Sequence, residues 1–159
     1  RRGCLVLDIR MPRMTGLDLQ KELIAMGSDL PIIFITGHGD IPMAVEAMRL
    51  GAVDFIRKPF REYDLLDRIN EALNVDDTAY QQAMSRETLK QKVSALSDRE
   101  LDVFERVAEG HMNKVIAADL GISERTVEVH RGQVMKKLGV KTLAQLVRVK
   151  IESEMAAAS

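Results

Sequence analysis

Three short apolar runs, each closing on a different polar residue, constrain this chain most. Cys4–Asp8 carries Leu5-Val6-Leu7 and ends on an acid. Leu30–Thr36 carries Ile32-Ile33-Phe34-Ile35 and ends on a hydroxyl, and Ala52–Lys58 carries Val53, Phe55 and Ile56 and ends on a base. Runs of this length, rich in β-branched residues, suit buried parallel strands. Amphipathic patterns separate them. Leu17–Met26 sets Leu19, Leu23 and Ile24 on one face, Pro42–Leu50 groups Val45, Met48 and Leu50 ahead of Gly51, and Leu65–Leu73 carries Leu66, Ile69 and Leu73. Strand–helix alternation argues for an open parallel sheet. Chemistry in such sheets sits beyond the carboxyl ends of the strands.

Those ends carry Asp8, Thr36 and Lys58. An acid, a hydroxyl and a cation at one sheet edge make a phosphoryl site. The carboxylate is the nucleophile, and the hydroxyl and ammonium hold the oxygens of the transferred group. Phosphatases with a strand-end Asp, a hydroxyl and a Lys also need a second acid two residues after the nucleophile. Arg10 stands there, so the chain is not read as an enzyme.

The segments Asp8-Ile9-Arg10-Met11-Pro12-Arg13-Met14-Thr15-Gly16, Ile35-Thr36-Gly37-His38-Gly39-Asp40 and Asp54-Phe55-Ile56-Arg57-Lys58-Pro59-Phe60 resemble the receiver domain of two-component response regulators. The resemblance implies that Asp8 takes the phosphoryl group and Lys58 pairs with it. Thr36 then binds a phosphoryl oxygen, Phe55 acts as an aromatic switch, and the Lys58-Pro59 peptide is cis. It also implies Mg²⁺, held in part by Asp8 and the Arg10 backbone carbonyl, and a receiver dimer face at Val45, Arg49 and Arg57. A whole receiver has two further strands and a pair of acids before the Asp strand. Seven residues precede Asp8 here, so the expectation is a receiver truncated at its N-terminus, with an incomplete metal site and poor phosphorylation of this chain.

Charge and composition divide the rest. The 23 basic and 24 acidic residues nearly cancel, which excludes a uniformly basic coat but not a local patch. All four prolines fall at or before Pro59. The single cysteine, Cys4, rules out an internal disulfide. No apolar run is long enough to cross a bilayer, so a cytoplasmic protein with no membrane partner is expected. Segment 98–109 holds five acids and two bases, net −3, whereas 125–150 holds seven bases against Glu128 alone, net +6. A compact positive segment points to one face aimed at a polyanion.

The second half reads as helical. Ser97-Asp98-Arg99-Glu100 forms a capping box, and its helix carries Leu101, Phe104, Val107 and Ala108. Asn113–Leu120 is a short helix, Gly121-Ile122-Ser123 a turn, Glu124–Leu138 the next helix, and Thr142 caps a last one. Two helices joined by a three-residue turn with Gly make a helix-turn-helix. At 100° per residue, Val127, His130, Val134 and Leu138 face inward. Arg125, Glu128, Val129, Gly132 and Lys136 face outward, bordered by Arg131 and Lys137, and this face suits the major groove. Glu128 can accept from a cytosine amine and Val129 can touch a thymine methyl.

Leu96-Ser97-Asp98-Arg99-Glu100, Asn113-Lys114-Val115-Ile116-Ala117, Leu120-Gly121-Ile122-Ser123, Thr126-Val127-Glu128-Val129-His130 and Lys137-Leu138 resemble the LuxR-type helix-turn-helix. Together the two resemblances place the chain near the FixJ group of transcriptional regulators. They imply phosphate contacts from Lys114, Arg125, Thr126 and Lys136, a sensor histidine kinase as phosphodonor, and a homodimer on double-stranded DNA paired through the helix after Thr142.

The expected architecture is therefore α/β followed by all-α. Residues 1–73 form a partial doubly wound receiver sheet made of its last three strands. Residues 74–96 form a linker, partly helical, and 97–159 a four-helix DNA-binding domain. The competing reading is a DNA-binding fragment that is constitutive because its receiver no longer responds to phosphorylation.

Overall fold

A computed structural model describes residues 3–73 and 86–158. The chain divides into two compact units, Arg1–Thr78 and Ala79–Ser159.

In the first unit, β1 (Leu5–Asp8), β4 (Ile32–Thr36) and β5 (Asp54–Arg57) form a parallel sheet in the order β1-β4-β5. The register sets Asp8 opposite Ile35 and Thr36 opposite Arg57, so the three polar strand ends share one edge. Three helices pack on this frame: α1 (Gly16–Ala25), α2 (Ile41–Arg49) and α3 (Glu62–Leu73). Ile33, Phe34, Ala44, Ala47 and Phe55 fill the core between sheet and helices.

A small hairpin, not expected from the apolar pattern, lies between β1 and α1. Its strands β2 (Arg10–Met11) and β3 (Met14–Thr15) are antiparallel. Pro12 pre-sets the first turn position and Arg13 adopts φ +76 at the second, as a tight turn requires. Thr15 then caps α1: its hydroxyl accepts from the Asp18 N–H, and Asp18 accepts from the Thr15 N–H. Gly16 admits no side chain, since a Cβ there would stand 2.6 Å from the Asp8 carbonyl oxygen and 2.7 Å from the Phe34 ring. The close approach is what seats α1 directly behind the acceptor strand.

A partly buried ion pair ties α3 to the sheet. Arg68 Nη1 donates to Asp54 Oδ1 at 2.7 Å and to the Phe55 carbonyl at 3.1 Å. Burial pushes the Asp54 carboxyl up to about 6, and the Arg68 guanidinium only partly opposes it.

The second unit contains α4 (Arg86–Ser94), α5 (Asp98–Ala108), α6 (Asn113–Leu120), α7 (Glu124–Leu138) and α8 (Leu143–Ala158). Its core joins Leu96, Val103, Phe104, Val107, Ile116, Val127, Val134, Leu138 and Leu146. Leu89 of α4 belongs to the same core at 1% exposure. Part of the stretch expected as a partly helical linker is thus a packed helix of this unit: α4 lies against α8 and α7 and puts Leu89 into the core. Residues 74–85 of that stretch lie outside the described residues. Gly121 and Gly139 both take left-handed backbone, ending α6 and α7.

Candidate phosphoryl site and nucleic-acid interface

The carboxyl edge of the sheet gathers the site. Lys58, one residue past β5, donates from Nζ to Asp8 Oδ2 at 2.9 Å. The Arg10 backbone N–H donates to Asp8 Oδ1 at 3.1 Å. The Lys58 bond, helped by the Arg10 N–H, holds the Asp8 carboxyl below the usual carboxylate range against a smaller opposing effect of burial. Asp8 is therefore ionised and has its charge balanced by an ammonium across the edge. The Lys58-Pro59 peptide is cis. Thr36 is fully buried at the end of β4, and its hydroxyl donates to the Gly37 carbonyl at 3.2 Å. The structure thus pairs Asp8 with Lys58 and leaves the Thr36 hydroxyl turned along its own loop. Phe55 is buried in β5.

Mg²⁺ takes about six oxygens in near-octahedral geometry. Among the described residues no group of three or more His, Cys, Asp or Glu side chains is placed to hold a metal ion. Asp8 and the Arg10 carbonyl are two donors, and Oδ2 of Asp8 already accepts from Lys58. The nearest further acid on this edge, Asp40, is engaged by Arg10: Nε reaches both carboxylate oxygens at 2.9 and 3.0 Å. The residues described do not by themselves fit a Mg²⁺ site.

One residue expected on the receiver dimer face is buried within its own unit. Val45, placed on the receiver dimer face with Arg49 and Arg57, is 6% exposed and packs into its own unit. It lies on the apolar side of α2 with Ala44, Ala47 and Met48, which the sheet covers. Arg49 and Arg57 are exposed.

In the second unit, α6 and α7 meet across the Gly121 turn. Ser123 caps α7 by accepting from the Thr126 N–H, and the two hydroxyls lie 2.8 Å apart. Val127, Val134 and Leu138 point into the core, with His130 half-buried. Lys114, Arg125, Glu128, Val129 and Lys136 are exposed, Val129 at 56%. An apolar side chain this open on the outward face is the feature a thymine methyl would cover. Thr126 is half-buried. Arg131 is half-buried too and donates to Asn113 Oδ1 at 3.1 Å, linking α7 to the first residue of α6.

Lys137, expected to border the outward face, turns the other way. Its Nζ donates to Glu100 Oε1 at 2.7 Å, and the same carboxylate accepts from the Ser97 N–H. The Lys137 bond and the capping bond hold the Glu100 carboxyl below its usual range. The capping box of α5 and the end of α7 are thereby one cluster, which fixes the tilt of the outward helix. The Lys137–Glu100 bond spans 37 residues, so the sequence shows the capping box but not this partner.

A parallel sheet with an Asp–Lys pair at its carboxyl edge, in one chain with a helix-turn-helix, defines the class of phosphoryl-accepting DNA-binding regulators. Comparison with known families agrees. Residues 1–70 match the response regulator receiver domain, and residues 94–150 match the bacterial regulatory proteins of the luxR family. The response regulator protein TmoT of Ectopseudomonas mendocina is 51% identical over 147 residues, covering 92% of this chain and 67% of that protein. Nodulation protein W of Bradyrhizobium diazoefficiens is 50% identical over 147 residues, covering 92% of this chain and 65% of its own. The transcriptional regulatory protein FixJ of Azorhizobium caulinodans is 45% identical over 157 residues, covering 99% of this chain and 74% of its own. A solved full-length FixJ from B. japonicum is 42% identical, covers 98% of this chain and 76% of that one, and has a TM-score of 0.46. The chain belongs to the response regulators of the FixJ group, with a receiver domain followed by a LuxR-type DNA-binding domain. It spans about two thirds of the length of the curated relatives first matched.

Proposed function

We propose that the protein regulates transcription by binding double-stranded DNA as a homodimer, under control of phosphorylation at Asp8. The observation that carries this reading is the Asp8–Lys58 pair at 2.9 Å, on the sheet edge of a chain that also carries an exposed basic helix-turn-helix. A sensor histidine kinase is the donor class. One Asp8 carboxylate oxygen attacks phosphorus, the P–N bond to the donor imidazole breaks, and the leaving nitrogen takes up the electron pair and a proton. The acyl phosphate so formed carries more negative charge than the carboxylate. Lys58 is placed to neutralise it.

The phosphoryl group shifts an existing equilibrium toward the dimerising form. For this to proceed, Thr36 has to turn its hydroxyl from Gly37 toward the phosphoryl oxygens, with Phe55 moving alongside. On DNA, Lys114, Arg125, Thr126 and Lys136 contact phosphates, and Glu128 and Val129 read base edges. Arg131 positions Asn113 and α6, and α8 pairs the two DNA-binding domains. Arg49 and Arg57 serve the receiver contact. The protein acts in the cytoplasm, where kinase and DNA are both accessible. No helix among the described residues is long and apolar enough to cross a membrane.

The test is binding to a duplex selected from a random-sequence pool, with and without acetyl phosphate and Mg²⁺. Tighter binding with the donor, lost in Asp8→Asn, supports the reading. Binding indifferent to both favours constitutive binding, the second reading, which the incomplete metal donor set supports. Absence of DNA binding in folded protein refutes both.

A further inference from the structure

We propose that Arg10 and Asp40 form a charge latch between the phosphoacceptor loop and the start of α2, which a phosphoryl group on Asp8 releases by drawing Arg10 away. The release rests on the phosphorylation reading above, whereas the latch itself stands on geometry alone. Arg10 donates from Nε to both Asp40 oxygens at 2.9 and 3.0 Å, and its Nη2 lies 2.8 Å from Oδ1. Such forked contacts are the strong, directional kind.

Asp40 occupies the position that caps α2, yet its side chain makes no capping bond. A capping side chain accepts from the second or third helical N–H. Pro42 holds the second position and has none to give. The third N–H, on Met43, is not capped either, and the Asp40 carboxylate is turned to Arg10 instead. Its own loop runs from Thr36 through Gly37, whose carbonyl accepts from the Asp40 N–H at 3.1 Å. The latch therefore joins the two loops that flank the site.

The two partners are unequally exposed: the Arg10 side chain at 71%, the Asp40 side chain at 11%. Water replaces Asp40 around Arg10 at little cost. Asp40 without Arg10 is a shielded, unpaired carboxylate, which is costly where it stands. Loss of Arg10 therefore forces the first turn of α2 to move until Asp40 is hydrated. Arg10 is also the residue whose backbone N–H already touches Asp8 at 3.1 Å. A phosphoryl group formed there competes with Asp40 for the guanidinium of the same residue. Arg10 is in this sense a positioning residue: it carries charge at Asp8 to the helix bearing Arg49.

The experiment is amide hydrogen exchange on the whole chain, with α3 as internal reference. Arg10→Ala and Asp40→Asn are expected to speed exchange at Val45–Arg49 by roughly ten-fold, the scale of losing one charge-assisted bond, with α3 unchanged. Arg10→Lys keeps the charge without the fork and is expected to restore part of the protection. The double variant should not exceed the larger single effect. Acetyl phosphate with Mg²⁺, its adduct on Asp8 verified by intact mass, should speed the same amides in wild type and add nothing in Arg10→Ala.

Wild-type exchange in both single variants overturns the latch, as does a rise spread evenly over α2 and α3. An adduct that leaves α2 exchange unchanged overturns release. Absence of any adduct overturns phosphoryl transfer and release in this chain, and the latch is then decided by the variants alone.

Discussion

Lys136 and Lys137 are neighbours of identical charge, and the structure assigns them opposite work. Lys136 is exposed on the outward side of α7, whereas Lys137 bonds Glu100 at 2.7 Å. Each phosphate contact contributes about 0.9 to the slope of log affinity against log salt. Lys114, Arg125 and Lys136 then give about 2.7 per domain and about 5.4 for a dimer on two half-sites. Lys136→Ala should lower the slope by about 0.9 per domain and leave the melting temperature of the helical unit unchanged. Lys137→Ala should leave the slope unchanged. It removes the partner of a Glu100 side chain that is only 9% exposed. The loss is about 1 kcal/mol, discounted because the Lys137 side chain is 39% exposed and partly screened. That lowers the melting temperature by several degrees for a unit of this size. Fluorescence-anisotropy titrations across a salt series, with thermal unfolding by circular dichroism, measure both. Equal slope losses in the two variants with unchanged melting would refute the assignment.

Two further outcomes follow from the first unit. The Asp54 carboxyl, raised from 3.8 to about 6, binds a proton in the folded state before the unfolded chain does. Its contribution to stability is full below about pH 3.8 and is lost as pH rises through about 6. Between pH 4 and 7, Asp54→Asn should therefore gain roughly 2–3 kcal/mol relative to wild type, and parallel urea-unfolding profiles against pH would contradict the burial argument. Gly16→Ala places a methyl 2.6 Å from the Asp8 carbonyl and should cost about 1–3 kcal/mol while displacing the acceptor strand. Unchanged thermal unfolding with unchanged Asp8 phosphorylation would show that α1 can retreat freely.

Much of this architecture is legible in the sequence. The strand ends Asp8, Thr36 and Lys58 fell on one edge because parallel strands in register bring their carboxyl ends together. The helix spans 113–120 and 124–138 were legible because Gly121, Ser123 and Gly139 mark their ends locally. The hairpin at 10–15 leaves no signal in the apolar pattern because two-residue strands carry no periodicity. The stretch holding α4 reads as a partly helical linker because Leu89 and Val93 are isolated among polar residues, and two apolar residues set only a narrow helical face. Val45 is buried within its own unit, and apolar character alone does not distinguish a face buried in its own domain from one buried in a dimer.

The boundary between the two kinds of knowledge follows the range of the interactions. Strand runs, caps and glycine stops depend on residues near in sequence and can be read there, and the Asp8–Lys58 pair, 50 residues apart, is legible only because parallel strands in register bring their carboxyl ends to one edge. Lys137 with Glu100, Arg10 with Asp40 and Arg68 with Asp54 span 37, 30 and 14 residues. A charge in the sequence has no declared partner, and only burial makes the choice of partner matter. Tertiary structure alone decided which of these side chains face solvent and which hold the fold.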